Sequence, residues 1–479
     1  MQTDKKKGIL YMLNHFPRYI STRAIYCYLV TLILISTVYL RHVMPFQFMV
    51  FGFVPVAIFF VFSTKLTTNW IHYSPRLFTR KLFLTALVLR IVYAVFIYFY
   101  YLDVTGEPFA YHAGDEHLYH YIGSLLRPHG IKEFVYYLKV FNVGFSDSGY
   151  CWWLALVYTI FGPSILSAHI LKCFIDAFAC VLIYNLGRRN FGEVTGRMAA
   201  IFCMLMPNMW YYCGVTLKET EMAFLTVLFV ERADLVFRFP KIKFKNLIMP
   251  GVTILVMFTF RTALAAVLVA AFGMALLFSS RRQLKLWQKI LYIAVFSGWM
   301  FLTVGNEIVQ ETQELWEGRV ENQSVGYEWR AEREGGNSFA RYATATVMAP
   351  LIFTIPFSTM VDIPKQENQM MMNGANFIKN IMSGLTVFAL FTLLFNGEWR
   401  KHVLSIAVML GYLIVLVFSN FAHSERFHFP VLALELMFAA VGVSYLKNKH
   451  KRWYMIWLIG VCVANLIWAW VKLRGRGMA

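Results

Sequence analysis

Long apolar runs, each close to the length of a membrane-spanning helix and nearly free of charge, recur along almost the whole chain. A run of roughly 20 such residues crosses the hydrocarbon core of a bilayer as an α-helix. Hydrophobic residues make up 58% of the 479 residues and charged residues only 15%, whereas a soluble domain carries about 25% charged residues. The sequence therefore predicts an all-α, polytopic transmembrane protein with about 12–14 spans. It excludes a soluble enzyme, a disordered chain and a collagen.

The positive charge is unevenly distributed. The formal net charge is +19, but the Lys and Arg residues lie in short clusters between apolar runs, as the positive-inside rule expects of cytoplasmic loops. The N-terminus, the loop at Arg188 and Arg189 and the loop at 447–452 are therefore expected inside. No basic stripe with base-stacking aromatics lies outside the apolar runs, so nucleic acid is not an expected partner.

The spacing of the runs divides the chain into four regions. An N-terminal segment with a transmembrane hairpin (1–81) precedes a transmembrane core (82–305), whose first outer loop, 103–163, contains surface helices near 115–126, 130–141 and 150–161. An outer loop with a re-entrant or surface-bound segment (306–376) and a C-terminal group of spans (377–479) follow. Pro207 is expected to break one span, and Arg261 to divide the run 247–280 at an outer turn. Counting spans places the tail after 471 outside, against its positive charge.

The ionisable residues outside the basic inner loops fall on the outer face in this topology. Such residues at a membrane are costly and usually functional, so their convergence predicts a site there. Simpler readings remain open: Asp115 as a helix cap, Arg261 as a side chain reaching the interface, and Lys218 paired with Glu219. The four groups are Asp115, Glu116, His117 and His120; Lys218, Glu219 and Glu221; Arg261; and His423, Glu425, Arg426 and His428.

Several motifs, taken in order, resemble the GT-C glycosyltransferases, integral-membrane enzymes that use polyprenyl-phosphate-linked sugars. The branch most similar is that of the protein O-mannosyltransferases and the lipid A aminoarabinose transferase. The motifs are Gly-Asp-Glu-x-x-Tyr at 114–119, the aromatic stretch 149–162 ending in Phe-Gly, Arg-Arg-x-Phe-Gly at 188–192, Leu-Lys-Glu at 217–219 after a Pro-containing helix, and Glu-Arg-Phe-His-Phe-Pro at 425–430. The chain departs from the family in carrying His117 where a Pro is usual and in its added N-terminal hairpin.

The resemblance implies a catalytic acidic pair, Asp115 and Glu116, with Asp115 as the base that takes the proton of the acceptor hydroxyl. The leaving polyprenyl phosphate needs cations, and Arg426, Arg261 and Lys218 are the residues available, with Arg426 first because a guanidinium offers two donors. Acceptor or substrate contacts are expected from four further side chains, Glu219, Tyr119, His120 and His428.

A metal site is the weaker alternative. Glu116 and His120 are four residues apart and share a helical face, where they could bind a divalent ion together with Asp115. The branch resembled here generally works without a metal, so the expectation is no cofactor.

The expected function is transfer of a sugar from a polyprenyl-phosphate donor to a glycan, lipid or protein acceptor, with inversion, at the outer face of the cytoplasmic membrane. One rival is an O-antigen or capsule polymerase or ligase acting on polyprenyl-diphosphate glycans, which the outer residues Arg319, Arg330, Arg333 and Arg341 keep open. The other is a transporter or flippase, which would place charges near mid-membrane, often within inverted repeats.

Overall fold

A computed structural model describes residues 14–127, 144–238, 244–279, 336–419, 421–447 and 450–478, with isolated positions between 128 and 143 and between 280 and 335. Most of the expected surface stretch 130–141, of the last span of the core, expected at 290–305, and of the outer loop that begins at 306 lies outside the described residues. In the described part, the β structure is a single bridge between Val43 and Val361. The helices are α1 (Arg18–Val38), α2 (Phe46–Asn69), α3 (Pro75–Thr105), α4 (Gly114–Leu126), α5 (Phe145–Phe161), α6 (Ile165–Phe191), α7 (Glu193–Leu205), α8 (Pro207–Cys213), α9 (Glu219–Arg238), α10 (Phe244–Phe260), α11 (Thr262–Phe278), α12 (Ala345–Met348), α13 (Glu367–Met371), α14 (Asn373–Phe395), α15 (Val403–Val417), α16 (Glu425–Tyr445) and α17 (Lys451–Arg474).

The all-α polytopic class is confirmed. Seven of the described helices, namely α1, α2, α3, α6, α14, α16 and α17, are long and apolar enough to cross a membrane. Shorter apolar helices lie in α10, α11 and α15. Both predicted interruptions occur: Pro207 begins α8 after the extended residue Met206, and Arg261 adopts extended backbone between α10 and α11. The backbone therefore leaves the helical conformation at Met206 and at Arg261, and a new helix begins after each.

The bundle has a basic end that is held together by polar contacts between helix termini. Arg238, at the end of α9, donates to the carbonyl oxygen of Arg189, at the end of α6. Asn190 contacts His402 at the start of α15, and Tyr445 at the end of α16 donates to Glu398. These termini carry the Lys and Arg clusters that the sequence assigns to the cytoplasm.

The opposite end is built from the other termini of the same helices and contains the predicted site. The tail of α17 also lies there: Lys472 is buried, and its ammonium donates to Thr359 Oγ1 at 2.6 Å and to Gln366 Oε1 at 2.8 Å. The tail thus lies at the same end as the predicted site, as the count of spans expects and the charge of the tail does not. Its lysine can lie there because the polar segment before α14 solvates the ammonium inside the protein.

That segment differs from expectation. The apolar run at 347–360 is expected as a re-entrant or surface-bound segment, but after a short helical stretch the chain runs non-helical and buried from Ile355 to Val361. Its backbone is bonded from the neighbouring helices: Asn465 of α17 accepts from the Ser358 amide at 2.7 Å, and Asn380 of α14 donates to the Pro356 carbonyl at 2.9 Å. Buried backbone polar groups require such partners, so the amide side chains at 380 and 465 explain how this segment can lie inside.

One expectation about charge is corrected. Ionisable residues outside the inner loops do not all gather at one end, because Arg90 of α3 and Asp176 of α6 form a fully buried ion pair within the bundle. Arg90 also donates to the carbonyls of Cys203 and Met204. These carbonyls belong to the end of α7, where the break before Pro207 leaves helix acceptors without helical donors. The pair therefore stabilises the interrupted helix.

Candidate active site

The centre of the site is the guanidinium of Arg426, in the first turn of α16. Its Nε donates to the Glu219 carboxylate, and its Nη1 donates to Asp115 Oδ2 at 2.5 Å. The three residues are separated by up to 311 positions in the chain, yet the fold places them in direct contact. Three of the four outer groups predicted from the sequence therefore converge on one ion-paired centre.

Asp115 lies in the first turn of α4 and not at its cap. The N-cap of α4 is Ala113, and no side chain caps the helix. The cap explanation of Asp115 is thus not the one the structure supports, although a carboxylate in the first turn still gains from the positive helix end. With 58% of its side chain exposed, Asp115 is open to a substrate on one side and held by Arg426 on the other.

Glu219 occupies the opposite kind of environment. It begins α9, and its side chain is 1% exposed. The preceding loop, 214–218, is fixed by buried polar groups: Lys172 donates to the carbonyls of Val215 and Leu217 at 2.7 and 2.5 Å, and His169 Nε2 lies 3.1 Å from Thr216 Oγ1. A loop tied at consecutive residues has little freedom, so Glu219 presents Arg426 with an acceptor at a fixed place.

Glu116, the other member of the predicted catalytic pair, turns inward. Its carboxylate accepts from the Thr216 amide at 2.6 Å and from the Ala110 amide at 3.3 Å, and the residue is 2% exposed. Burial raises the pKa of Glu116 to about 7, an effect that the two amides partly offset. The side chain thus joins the loop before α4 to the loop before α9, and the structure gives it a positioning role rather than access to substrate.

Lys218 is similarly occupied. Its ammonium donates to Asp147, to the Ser146 carbonyl at 2.9 Å and to the Phe260 carbonyl at 2.7 Å, which uses all three of its protons. Burial lowers the pKa of Lys218, and the neighbouring Asp147 carboxylate only partly opposes this shift. For Asp147, burial alone would raise the pKa, but the Lys218 ammonium outweighs burial and the pKa of this carboxyl is lowered. All three N–H groups of Lys218 are thus bonded within the protein, which argues against the phosphate-binding role expected for this residue.

Arg261 is, after Arg426, the other residue predicted to bind the donor phosphate. At the junction of α10 and α11, its guanidinium carbon lies 4.5 Å from the centre of the Phe427 ring, within cation–π range. Arg426 approaches the same ring at 5.8 Å, and Phe421 stacks on it with the ring centres 4.3 Å apart. Phe427 therefore holds two guanidinium groups close to each other.

His428 lies two residues after Arg426 in α16. It is 1% exposed; its Nδ1 is 2.9 Å from Lys379 Nζ, and its Nε2 is 2.7 Å from the Ala422 carbonyl. Lys379 in turn donates to the Ile355 carbonyl. With both ring nitrogens engaged, His428 does not contact a substrate in this conformation. It ties the turn before α16 to α14 and to the buried segment, and so positions Arg426.

The remaining predicted residues of α4 also have protein partners. Tyr119 donates to Asp147 Oδ1 at 3.0 Å, and His120 Nδ1 lies 2.9 Å from the Tyr158 hydroxyl. Burial, reinforced by the nearby His117, lowers the pKa of His120. The proposed metal ligands Asp115, Glu116 and His120 thus turn to different partners, and among the described residues no group of three or more His, Cys, Asp and Glu side chains is placed to hold a metal ion.

Sequence reasoning missed four residues that fix the site: Asp147, His169, Lys172 and Lys379. Three of them are ionisable residues within apolar runs, at 169 and 172 in α6 and at 379 in α14. A charge inside such a run is itself a signal of function or of a buried contact. The predicted outer-face groups contain only residues at or beyond the ends of the spans, so they leave out these three side chains.

The geometry has a definite chemical capacity. An exposed carboxylate can accept a proton, and a guanidinium beside it, with a second one near by, can stabilise a leaving anion. Two family models match the chain: the dolichyl-phosphate-mannose-protein mannosyltransferase model over residues 149–304 and the Alg9-like mannosyltransferase model over residues 372–474. Neither the comparison with curated proteins nor that with solved structures gives a match.

Both matched families are membrane glycosyltransferases of the GT-C superfamily, and the chain is similar to them over these two regions. The resemblance drawn from the motifs is thereby confirmed. The first match includes Glu219 and Arg261, and the second includes Arg426. Each covers less than half of the chain.

Proposed function

We propose that the protein transfers a mannosyl residue, or a closely related sugar, from a polyprenyl-phosphate donor to a hydroxyl acceptor at the outer face of a cytoplasmic membrane. The observation that carries the proposal is the Arg426 guanidinium, held between the buried Glu219 and the exposed Asp115. A base and an anion-stabilising cation in contact are the two groups that such a transfer needs.

In the proposed reaction, Asp115 accepts the proton of the acceptor hydroxyl as its oxygen attacks the anomeric carbon. The bond between that carbon and the phosphate oxygen breaks on the opposite side, which inverts the configuration. Arg426, with Arg261, stabilises the charge on the departing polyprenyl phosphate. Arg is suited to this role because its planar donors can bind two phosphate oxygens.

The choice of sugar and donor rests on the matched families. Both are described as mannosyltransferases, and one description names dolichyl-phosphate mannose. For this chain, mannose on a polyprenyl phosphate is therefore the first donor to test. A glycan, a lipid or a protein is the acceptor class.

The polymerase or ligase alternative depends on outer arginines, most of which lie outside the described residues. The fourth, Arg341, donates to Glu332 at 2.8 Å. The transporter alternative calls for charges near mid-membrane, and the pair Arg90–Asp176 is of that kind. Both of its side chains are 0% exposed, which favours a structural contact over a transport path.

The test is a transfer assay with detergent-purified protein, using membranes from cells lacking the gene as the source of acceptor. We expect radiolabelled mannose to pass from polyprenyl-phosphate mannose to product, and GDP-mannose to give none in the presence of an inhibitor of polyprenyl-phosphate-mannose synthesis. Transfer of a preassembled glycan from a polyprenyl diphosphate, with no use of the monosaccharide donor, would instead establish the polymerase or ligase alternative.

A further inference from the structure

The two carboxylates on Arg426 are not equivalent. Glu219 is 1% exposed and follows a loop whose backbone is bonded at 215, 216 and 217. Asp115 is 58% exposed and lies in the first turn of a short surface helix. Arg426 itself is 20% exposed, between the exposed aspartate and the buried glutamate in accessibility. The contact with Glu219 is therefore fixed, and the contact with Asp115 is the one that can be exchanged.

The charges around Arg426 also indicate that the contact with Asp115 is the exchangeable one. Arg426 carries one positive charge and contacts two carboxylates, and the nearby Arg261 supplies one more. A phosphate arriving at Arg426 with Asp115 still bound would place a third anion around this pair of cations. Like charges held a few ångströms apart in a poorly hydrated site repel strongly, so the phosphate is best accommodated if Asp115 leaves.

We propose that the donor phosphate replaces Asp115 on Arg426, so that Asp115 becomes free to act as the base only once the donor is bound. This inference rests on the proposed function and adds an order of events to it. The acceptor hydroxyl then gives its proton to Asp115, and its oxygen bonds to the anomeric carbon. The electron pair of the broken carbon–oxygen bond stays with the polyprenyl phosphate. Without donor, Asp115 is held by Arg426 and cannot deprotonate an acceptor efficiently.

The experiment measures equilibrium binding of polyprenyl phosphate, the leaving group, to the purified full-length protein in detergent. If Asp115 competes with phosphate for Arg426, Asp115→Asn and Asp115→Ala should both bind it more tightly, by roughly five- to tenfold, because a charge-assisted contact no longer has to be broken. The matched control is Glu107→Gln. Glu107 is a carboxylate in the loop leading to the same helix, is 60% exposed and pairs with His117. It reports the effect of removing one negative charge without touching Arg426.

Unchanged or weaker binding in the Asp115 variants, relative to Glu107→Gln, overturns the exchange. In that case, if the unsubstituted protein still binds polyprenyl phosphate and Arg426→Ala does not, the proposed function stands without the gating. If the unsubstituted protein binds polyprenyl phosphate no better than uncharged polyprenol, and Arg426→Ala makes no difference, the proposed phosphate site itself fails. Thermal unfolding of each variant identifies any loss of binding caused by misfolding.

Discussion

At the scale of single residues, the site depends on how Arg426 divides its donors. One bond goes to a buried carboxylate that does not reach solvent, and the other to a carboxylate that does. The sequence predicts that these residues lie on one face, because each follows or precedes an apolar run at the same end. It does not predict that Lys218 and His428 form hydrogen bonds within the protein, since their partners depend on how distant segments pack.

Glu219 should act through Arg426 and not on the acceptor. We expect Glu219→Gln to lower turnover by about tenfold or more, the scale of one charge-assisted contact. In an Arg426→Ala background the same change should have almost no further effect, as two residues acting as one unit are non-additive. The measurement is a double-mutant cycle on the transfer rate.

The control for this cycle is Glu231→Gln. Glu231 is a comparably buried carboxylate further along α9, paired with Arg189 at 2.6 Å at the basic end of the bundle. Its effect, whatever its size, should be additive with Arg426→Ala. An equal loss from Glu219→Gln in both Arg426 backgrounds would contradict the positioning role and return Glu219 to direct acceptor binding.

At the scale of elements, the site is held by loops that are tied to each other rather than by one rigid helix. Glu116 bonds the loop before α4 to the loop before α9, and Lys218 bonds the start of α9 to α5 and α10. The helix breaks at Pro207 and Arg261 could be predicted, because proline and charge interrupt an apolar run visibly. The tying of the loops could not, since it depends on contacts between residues as far apart as 116 and 216.

Glu116 makes this tie sensitive to pH. Burial raises its pKa to about 7 from an ordinary value of 4.5, so the folded protein favours the protonated form. Its contribution to stability is then fully present below about pH 4.5 and is lost as the pH rises through 7, by at most about 3 kcal/mol. Between pH 5.5 and 8, the apparent Tm of the unsubstituted protein should fall relative to that of Glu116→Gln, measured by thermal unfolding in detergent.

The comparison with Glu116→Gln removes the pH dependence of all other groups. The amide loses an acceptor for one of the two backbone N–H groups, so this variant should be less stable at pH 5.5, and the difference should shrink toward pH 8. A constant difference in Tm across the range would show that Glu116 does not titrate there.

At the scale of the whole molecule, the two ends of the bundle carry different sets of charged residues. The end with the Lys and Arg clusters is joined by contacts such as Arg189–Glu231, and the other end gathers Asp115, Glu219, Arg261 and Arg426. This architecture could be predicted well from apolar runs and basic loops. The buried non-helical segment 355–361 could not, because its solvation comes from amides on helices that follow it in the chain.

The orientation of the bundle is open to a direct check. In a background without the seven native cysteines, which are all free, His112→Cys should react with an impermeant thiol reagent applied to intact cells. His112 lies in the loop before α4 and its side chain is 60% exposed. Lys401→Cys, 53% exposed at the basic end, should react only after the membrane is opened. The reverse pattern would invert the proposed topology.

The central claim is that Asp115 is the base of a transfer from polyprenyl phosphate, and the most direct measurement compares Asp115→Asn with the unsubstituted protein in the mannosyl transfer assay. We predict that the rate constant of transfer falls by roughly 10²–10⁴-fold, the usual contribution of a positioned base, while donor binding is retained or tightened and Glu107→Gln stays near full activity. A rate for Asp115→Asn within a few-fold of the unsubstituted protein would contradict the account.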